Sequence, residues 1–483
     1  MKNIRTKTLA VLLTLVTLLT LLAGCAAGET MNTEVFNLIN EENRQWTVGF
    51  GQAVLPYPEE TDDPLYIAGY NNGYEISGIL DEQRATAVWI DCGGEGILLI
   101  GIDCVGLSNK YVEDIRTDLA AECAEWGCAV VHIYSTHTHA GIDTLGLWGP
   151  VAVDGKNADF QQIVVEGAFE AASQAYANRR TGTLTYSTAD SEDSQRDSRL
   201  PDVYDRFLHQ LRFKPDDGTG GVRIISYAAH AEALRGSNTL LSRDFPGEMA
   251  DILKEETGDD MLYMPAAIGG LIMTREFNEE LGFTTYEENM RYTGRRLADY
   301  LLAIPEADEI PVEPVMTAAR TTFSIPLDNT AFMYYRFLGI LDNTAIPGDS
   351  GTGYELETEL SVVTLGDYTL TLIPGEIFPE LVYGGYLTDD AASPENENPV
   401  PLTEIAAQYG FGNLLICGLA NDEIGYIVPP NDFLLSETAP YFSKTMDHKG
   451  ENHYEETNSV GIHTSHRIAE AFEASLKALS EAE

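Results

Sequence analysis

The sequence predicts a layered α/β fold of mixed α+β character: one large domain of β-sheets flanked by helices, with a metal site at strand ends. Three observations carry this. Apolar runs of β-type composition alternate with segments of helical periodicity along the chain. No internal repeat or long low-complexity stretch divides them. Four of the apolar runs lead directly into a residue able to ligate a metal, and strand ends opening into loops are where sheet scaffolds place functional atoms.

The expected strands are 85–91, 96–104, 129–134, 222–229, 317–325, 359–365, 368–373 and 413–418, each a short run rich in Val, Ile, Leu, Thr or Tyr. Helical patterns lie between and after them, at 110–126, 161–177, 245–256, 286–303, 379–387 and 466–479. Two polar, Pro/Gly-rich stretches interrupt the series. Residues 213–221 read as a hairpin-type loop and 389–399 as a longer surface excursion. Neither reads as a long flexible linker, so residues 41–483 are expected to form one catalytic-size domain.

The first 24 residues differ from the rest. Lys2, Arg5 and Lys7 precede an apolar run from Leu9 to Leu22, which is short for a membrane span of ~20 residues. Leu22-Ala23-Gly24-Cys25 has the form of a bacterial lipobox, in which the cysteine is lipidated. Residues 1–24 are thus expected to be a signal peptide, Cys25 a lipidation site, and 25–40 a tether holding the protein outside the cytoplasm on the cell membrane. The 29 Lys+Arg against 76 Asp+Glu give a net charge of −47, which repels phosphate backbones and argues against a nucleic-acid partner. Of the remaining cysteines, Cys92, Cys104 and Cys417 sit in apolar runs as small core residues, whereas Cys123 and Cys128 flank Trp126 and can pair if geometry permits.

The chemistry concentrates at four places. Run 129–134 leads into Ser135-Thr136-His137-Thr138-His139-Ala140-Gly141, and 222–229 leads into His230. Run 368–373 leads into Pro374-Gly375-Glu376, and 413–418 into Asn421-Asp422-Glu423-Ile424-Gly425-Tyr426. In extended chain His137 and His139 project to the same side. Two imidazoles, a carboxylate and a further oxygen suit Zn²⁺, with an open position left for water. Spacing alone does not bring the four segments together.

The His137-Thr138-His139 run resembles the SHTHSG signature of neutral, non-lysosomal ceramidases. Other segments resemble that family in the same order: Ala229-His230 with Asn238 and Ser242-Arg243-Asp244-Phe245-Pro246-Gly247, then Pro374-Gly375-Glu376, Gly418-Leu419-Ala420-Asn421-Asp422 with Gly425-Tyr426, and His453-Tyr454-Glu455. Val48-Gly49-Phe50-Gly51 and Gly69-Tyr70 fit the family's start. The chain thus resembles a divergent bacterial lipoprotein member of the family. The resemblance implies a zinc-dependent hydrolase of the amide bond of ceramide-like N-acyl lipids, acting through water that zinc activates. It implies zinc ligands His137, His230, Glu376 and Tyr426, with His139 beside the metal. Tyr454 would hydrogen-bond at the reacting centre, and Arg196, or nearby Arg199, would position substrate.

Three departures qualify it. Where the family carries a serine near a Gly-Asp pair, this chain has Ala266-Ala267 and Gly269-Gly270, so a serine nucleophile has no candidate there. Glu423 stands where the family often has an aromatic residue and is a candidate proton-transfer group or competing ligand. The chain also ends soon after Tyr454, where the family's immunoglobulin-like domain would follow. The alternatives are another amide or ester hydrolase on the same scaffold, or a non-catalytic lipid-binding lipoprotein.

Overall fold

The computed structural model describes residues 31–39, 44–58 and 64–482. The expected leader, Cys25 and most of the tether lie outside the described residues. In chain order the principal strands are β1 (Asn32–Asn37), β2 (Trp46–Val54), β3 (Arg84–Asp91), β4 (Gly96–Ile102), β5 (Cys128–Ser135), β6 (Arg180–Asp190), β7 (Phe207–Pro215), β8 (Val222–Tyr227), β9 (Asp260–Pro265), β10 (Met316–Pro326), β11 (Tyr354–Leu365), β12 (Tyr368–Leu372) and β13 (Leu414–Cys417). They form two mixed sheets, one in the order β9-β8-β7-β6-β2-β3-β4-β5 and one in the order β1-β10-β11-β12-β13. The principal helices are α1 (Asn109–Asp118), α2 (Ala158–Ala177), α3 (Asp244–Thr257), α4 (Tyr286–Leu302), α5 (Thr330–Phe337) and α6 (Thr464–Ala482).

The layers follow from which side chains point where. In β4, Ile97 and Leu99 join Val363, Leu365, Leu370 and Leu372 of the second sheet in one core. The alternate residues Leu98, Ile100 and Ile102 meet Phe160, Val164 and Ala168 of α2. A strand covered on both faces must read as a continuous apolar run, as GILLIGI does. At the other end of the same sheet, Ile225 and Tyr227 of β8 pack on Phe245 and Met249 of α3 and Leu297 of α4. On the far side, α6 lays Ile468, Phe472, Leu476 and Leu479 over Leu360 and Val362 of β11. The order is helix, sheet, sheet, helix, with each buried Leu or Phe worth roughly 1.5–3 kcal/mol. No helix of the described residues is long and apolar enough to cross a membrane.

Two expected helices are corrected. The one at 110–126 divides at Leu119, whose N–H is shared between Ile115 and Thr117 carbonyls, giving α1 and a short helix Ala120–Trp126. The one at 379–387 stops at Tyr383, because Gly384 and Gly385 adopt φ of 80° and 90°, a left-handed region that glycine enters without steric penalty. Cys123 and Cys128 are free thiols, so the pairing left open for them is not formed.

That short helix, Pro379–Tyr383, buries Glu380 at 4% exposure. Burial, aided by the charge of Asp197, pushes its carboxyl from an ordinary 4.5 up to about 8. The folded state therefore binds a proton the unfolded chain has lost. The group's stabilising contribution is full below about pH 4.5 and is lost as pH rises through about 8. Glu380→Gln should leave stability near wild type at low pH and raise it above pH 8 by a few kcal/mol, a difference readable from urea unfolding across pH. An unchanged pH slope would refute this.

Candidate metal centre and cleft

Parallel strand pairs build the site. β4 and β5 are parallel, so the loops after them leave at one end, and Val105 and His137 meet there. β8 and β9 are parallel and deliver His230 beside Ile272. β12 and β13 are parallel, and the chain beyond them forms a short ladder in which Glu376 stands in register with Tyr426. The edge strand β9 curls back to pack against β3, β4 and β5, and this brings the two histidine loops together. Thr138 bridges Ala231, His230 bridges Met273, and Tyr134 bridges Ala420 of the second sheet. His137 itself has φ of 61°, a left-handed conformation that non-glycine residues enter at a cost and that concentrates at functional sites.

His137, His230 and Glu376 converge. Glu376 Oε2 lies 2.9 Å from His230 Nε2 and 3.5 Å from His137 Nε2. His137 Nδ1–H donates to the Val105 carbonyl at 2.6 Å, and His230 Nδ1–H donates to the Ile272 carbonyl at 2.8 Å. Those bonds fix each ring and turn each Nε2 inward toward Glu376, where the neutral, Nδ1-protonated tautomer presents its lone pair to a metal, the arrangement found at metal-ligating histidines. Two ligands about 2.1 Å from a tetrahedral ion stand roughly 3.4 Å apart, so the spacing and the N/O donor set fit a zinc-sized cation. His139 belongs to the same group: its Nε2 is 3.2 Å from His137 Nε2, and the ligating atoms of His137, His139 and His230 all lie within 4.8 Å of one another. Burial opposes charge on His230, but Glu376 outweighs it and raises the imidazole's pKa. Burial likewise opposes ionisation of Glu376, yet His137 and His230 hold its carboxyl well below the usual range. His139 is driven well below the ordinary imidazole value by burial and then by the other two histidines.

Tyr426 lines the same cleft, and its Oη meets Tyr454 Oη at 3.0 Å. Both phenols are pushed up by burial and neighbouring carboxylates, so both carry their protons. Glu423 also lines the cleft; Oε1 accepts from Gly425 N at 2.8 Å, while Oε2 has no partner among the described residues. Burial, then the charge of Glu376, raises its pKa well above the ordinary carboxyl range. Arg196 does not border the cleft. It sits on the short strand Gln195–Arg196 with its side chain 45% exposed, reaching Glu276 at 3.9 Å. Arg199 is instead buried directly behind the Tyr454 segment, bonded to Asp432, Glu455 and Glu456.

Sequence reasoning missed several residues. Glu232 Oε2 lies 3.7 Å from His139 Nδ1, which has no hydrogen-bond partner among the described residues; Tyr70 Oη donates to Glu232 Oε2, and Arg235 donates to its Oε1 at 2.8 Å. Its only signal was the His230-Ala231-Glu232 spacing. Gly69, at φ of 109°, abuts the His139 ring; a Cβ there would come within 2.5 Å of it. Asp143 folds the loop of one wall by accepting from the N–H groups of Leu145, Gly146 and Trp148. Leu147, Trp148, Phe332, Leu341 and Ile424 line a cavity of about 160 Å³, far above the ~10–15 Å³ one water needs. Among the described lining residues there is no serine, threonine or cysteine, and Ala266 and Ala267 are core residues outside the lining.

No protein-family profile and no curated protein matches the chain. Solved structures do, two ceramidases among them. The neutral ceramidase from Pseudomonas aeruginosa superposes with a TM-score of 0.70 at 16% identity, covering 91% of this chain and 75% of its own. A ceramidase complexed with C2 gives a TM-score of 0.68 at 15% identity, covering 91% of this chain and 76% of its own. At that identity the likeness establishes a shared fold across nearly the whole described chain.

Proposed function

We propose that the protein is a zinc-dependent hydrolase of the amide bond of ceramide-like N-acyl lipids. The observation that carries the reading is the convergence of His137, His230 and Glu376, beside Tyr426, on one point at the floor of an apolar cleft. The fold shared with two ceramidases supports it, as does the order of the motifs. A zinc ion held by these four residues supplies Lewis-acid activation of water and of the acyl carbonyl. The residues supply the rest. His139 Nε2 hydrogen-bonds at the carbonyl oxygen as charge develops there. Glu423 and Tyr454, which line the cleft, are the groups placed to deliver the proton that the departing amine needs. Water adds across the C–N bond, its hydroxyl to the acyl carbon and its proton to nitrogen. With no hydroxyl or thiol from Ser, Thr or Cys among the described lining residues, the route contains no acyl-enzyme step at these types.

In this reading a lipid anchor on Cys25, inferred from the leader pattern, would hold the enzyme on the outer side of a membrane that contains its substrates. The test is acyl release from ceramide by the purified protein before and after a chelator, with zinc added back. Loss on chelation and recovery with zinc are expected. Full turnover after complete zinc removal would overturn the mechanism.

A further inference from the structure

We propose that Arg336 binds an anionic group on the substrate, so that the preferred substrate class is an N-acylated amine bearing a carboxylate or phosphate rather than an uncharged ceramide. The inference rests on the amide-hydrolase reading for the reaction but on separate residues for the specificity.

Cations are scarce in this chain, 29 against 76 acidic groups, and buried arginines are paired. Arg116 bonds Glu359, Arg243 bonds Asp81 and Asp251, and Arg199 bonds three carboxylates. Arg336 lines the same cleft as His137 and Glu376, yet its described bond is to the Asn343 carbonyl, and among the described residues no carboxylate lies at ion-pair distance. It occupies the last turn of α5, where a cation complements the helix dipole. That accounts for a basic residue at this turn but not for aiming it into the cleft. Phe332 and Arg336, four residues apart, share one helical face and both line the cleft.

The guanidinium is also held on a fixed platform. Asn329 caps α5 through Ala331 N and Phe332 N, and its Nδ2 donates to the Thr457 and Ser459 carbonyls of the segment that carries Tyr454. Asn343, whose carbonyl takes Arg336, donates its own Nδ2 to Asp422 and to the Glu423 carbonyl, in the loop that leads to Tyr426. A guanidinium has five donors in a fork that matches a carboxylate or phosphate in two parallel bonds. An uncharged ceramide would leave those donors facing a neutral lipid. An N-acyl amino acid or a phosphorylated N-acyl lipid would fill the apolar walls with its chain, present its amide at the metal centre and satisfy Arg336 with its anion.

The test compares kcat/KM of the zinc-loaded protein for N-palmitoylglycine and ceramide phosphate against N-palmitoylethanolamine and ceramide. The wild type should favour the anionic members at least tenfold. In Arg336→Met that ratio should fall tenfold or more, chiefly through KM, and Arg336→Lys should restore part of it. The better of the two anionic arms identifies carboxylate or phosphate. An Arg336→Met ratio equal to wild type overturns the inference while leaving amide hydrolysis intact. If no amide is cleaved, the hydrolase reading fails, and calorimetric binding of N-palmitoylglycine to the chelated protein decides the inference: tenfold weaker binding to Arg336→Met supports it, and equal binding overturns it.

Discussion

Glu376→Gln should abolish zinc binding and lower amide hydrolysis by about a thousandfold or more, with little change in the metal-free fold. The substitution keeps the shape of the side chain and removes one charge. Among the described residues that charge is the only carboxylate placed against both histidine Nε2 atoms, at 2.9 Å from His230 and 3.5 Å from His137. A neutral amide oxygen is a poor zinc ligand, whereas carboxylate oxygen binds at about 2.0–2.2 Å. The metal-free protein gives a clean control. Zinc at a hundred times its Kd stabilises a folded state by about 2.7 kcal/mol, so wild type should melt higher when zinc is added and the variant should not. Metal content after dialysis should be near one per chain in wild type and close to zero in Glu376→Gln. A variant that retains one zinc and its thermal shift would show that Glu376 is not a ligand. His230→Ala should behave alike, with a larger cost to the fold from the vacated buried position.

His137, His230 and Glu376 were legible in the sequence because each follows a strand that is largely buried. Such strands read as largely apolar runs (CAVVHIYS, VRIISY and YTLTL), and a potential ligand within a few residues of their ends stands out: His137 after β5, His230 after β8, Glu376 after β12. Strands with a wetter face did not stand out. β6 reads RTGTLTYSTAD, and β7 alternates buried with half-buried positions, so neither carries a continuous apolar signal. Convergence itself was invisible, since it depends on β9 curling back toward β5 and on two sheets meeting at their ends. The supporting shell was equally hidden. Val105 acts through its backbone carbonyl, which no side-chain pattern reports. Glu232 differs from a solvated acid only by being 5% exposed beside His139. Arg196 and Arg199 lie three residues apart, and only packing separates an exposed guanidinium from a buried one.

Arg199→Met should destabilise the protein by roughly 3–5 kcal/mol, the usual result of stripping one partner from a buried ion network. The guanidinium is 3% exposed. Its Nη2 lies 2.9 Å from Asp432 Oδ2, 2.9 Å from Glu456 Oε1 and 2.8 Å from the Asp432 carbonyl, while Nη1 reaches Glu455 Oε2 at 3.2 Å. Methionine would fill much of the volume and even keep contact with the Phe378 ring, but it would leave Asp432, Glu455 and Glu456 in a dry pocket with only His453, beside Glu456, to offset their charge among the described residues. The pH dependence has a definite sign. Burial resists ionisation of Glu456, and Arg199 with His453 outweighs it, so its pKa is lowered. A lowered acid contributes stability above its unfolded value, near 4.3, and loses it as pH falls. The gap between wild type and variant should therefore be widest near neutrality and shrink below about pH 5 as Glu456 takes up its proton. The loosening should also be local. Glu455 and Glu456 open the turn directly after Tyr454, whose phenol meets Tyr426. Amide hydrogen exchange at 453–458 should rise in the variant more than exchange in the β4 core, and hydrolysis should fall although Arg199 does not border the cleft. A loss under 1 kcal/mol, flat with pH, would mean that the three acids are already neutral in the folded protein and that the segment bearing Tyr454 is held by packing alone.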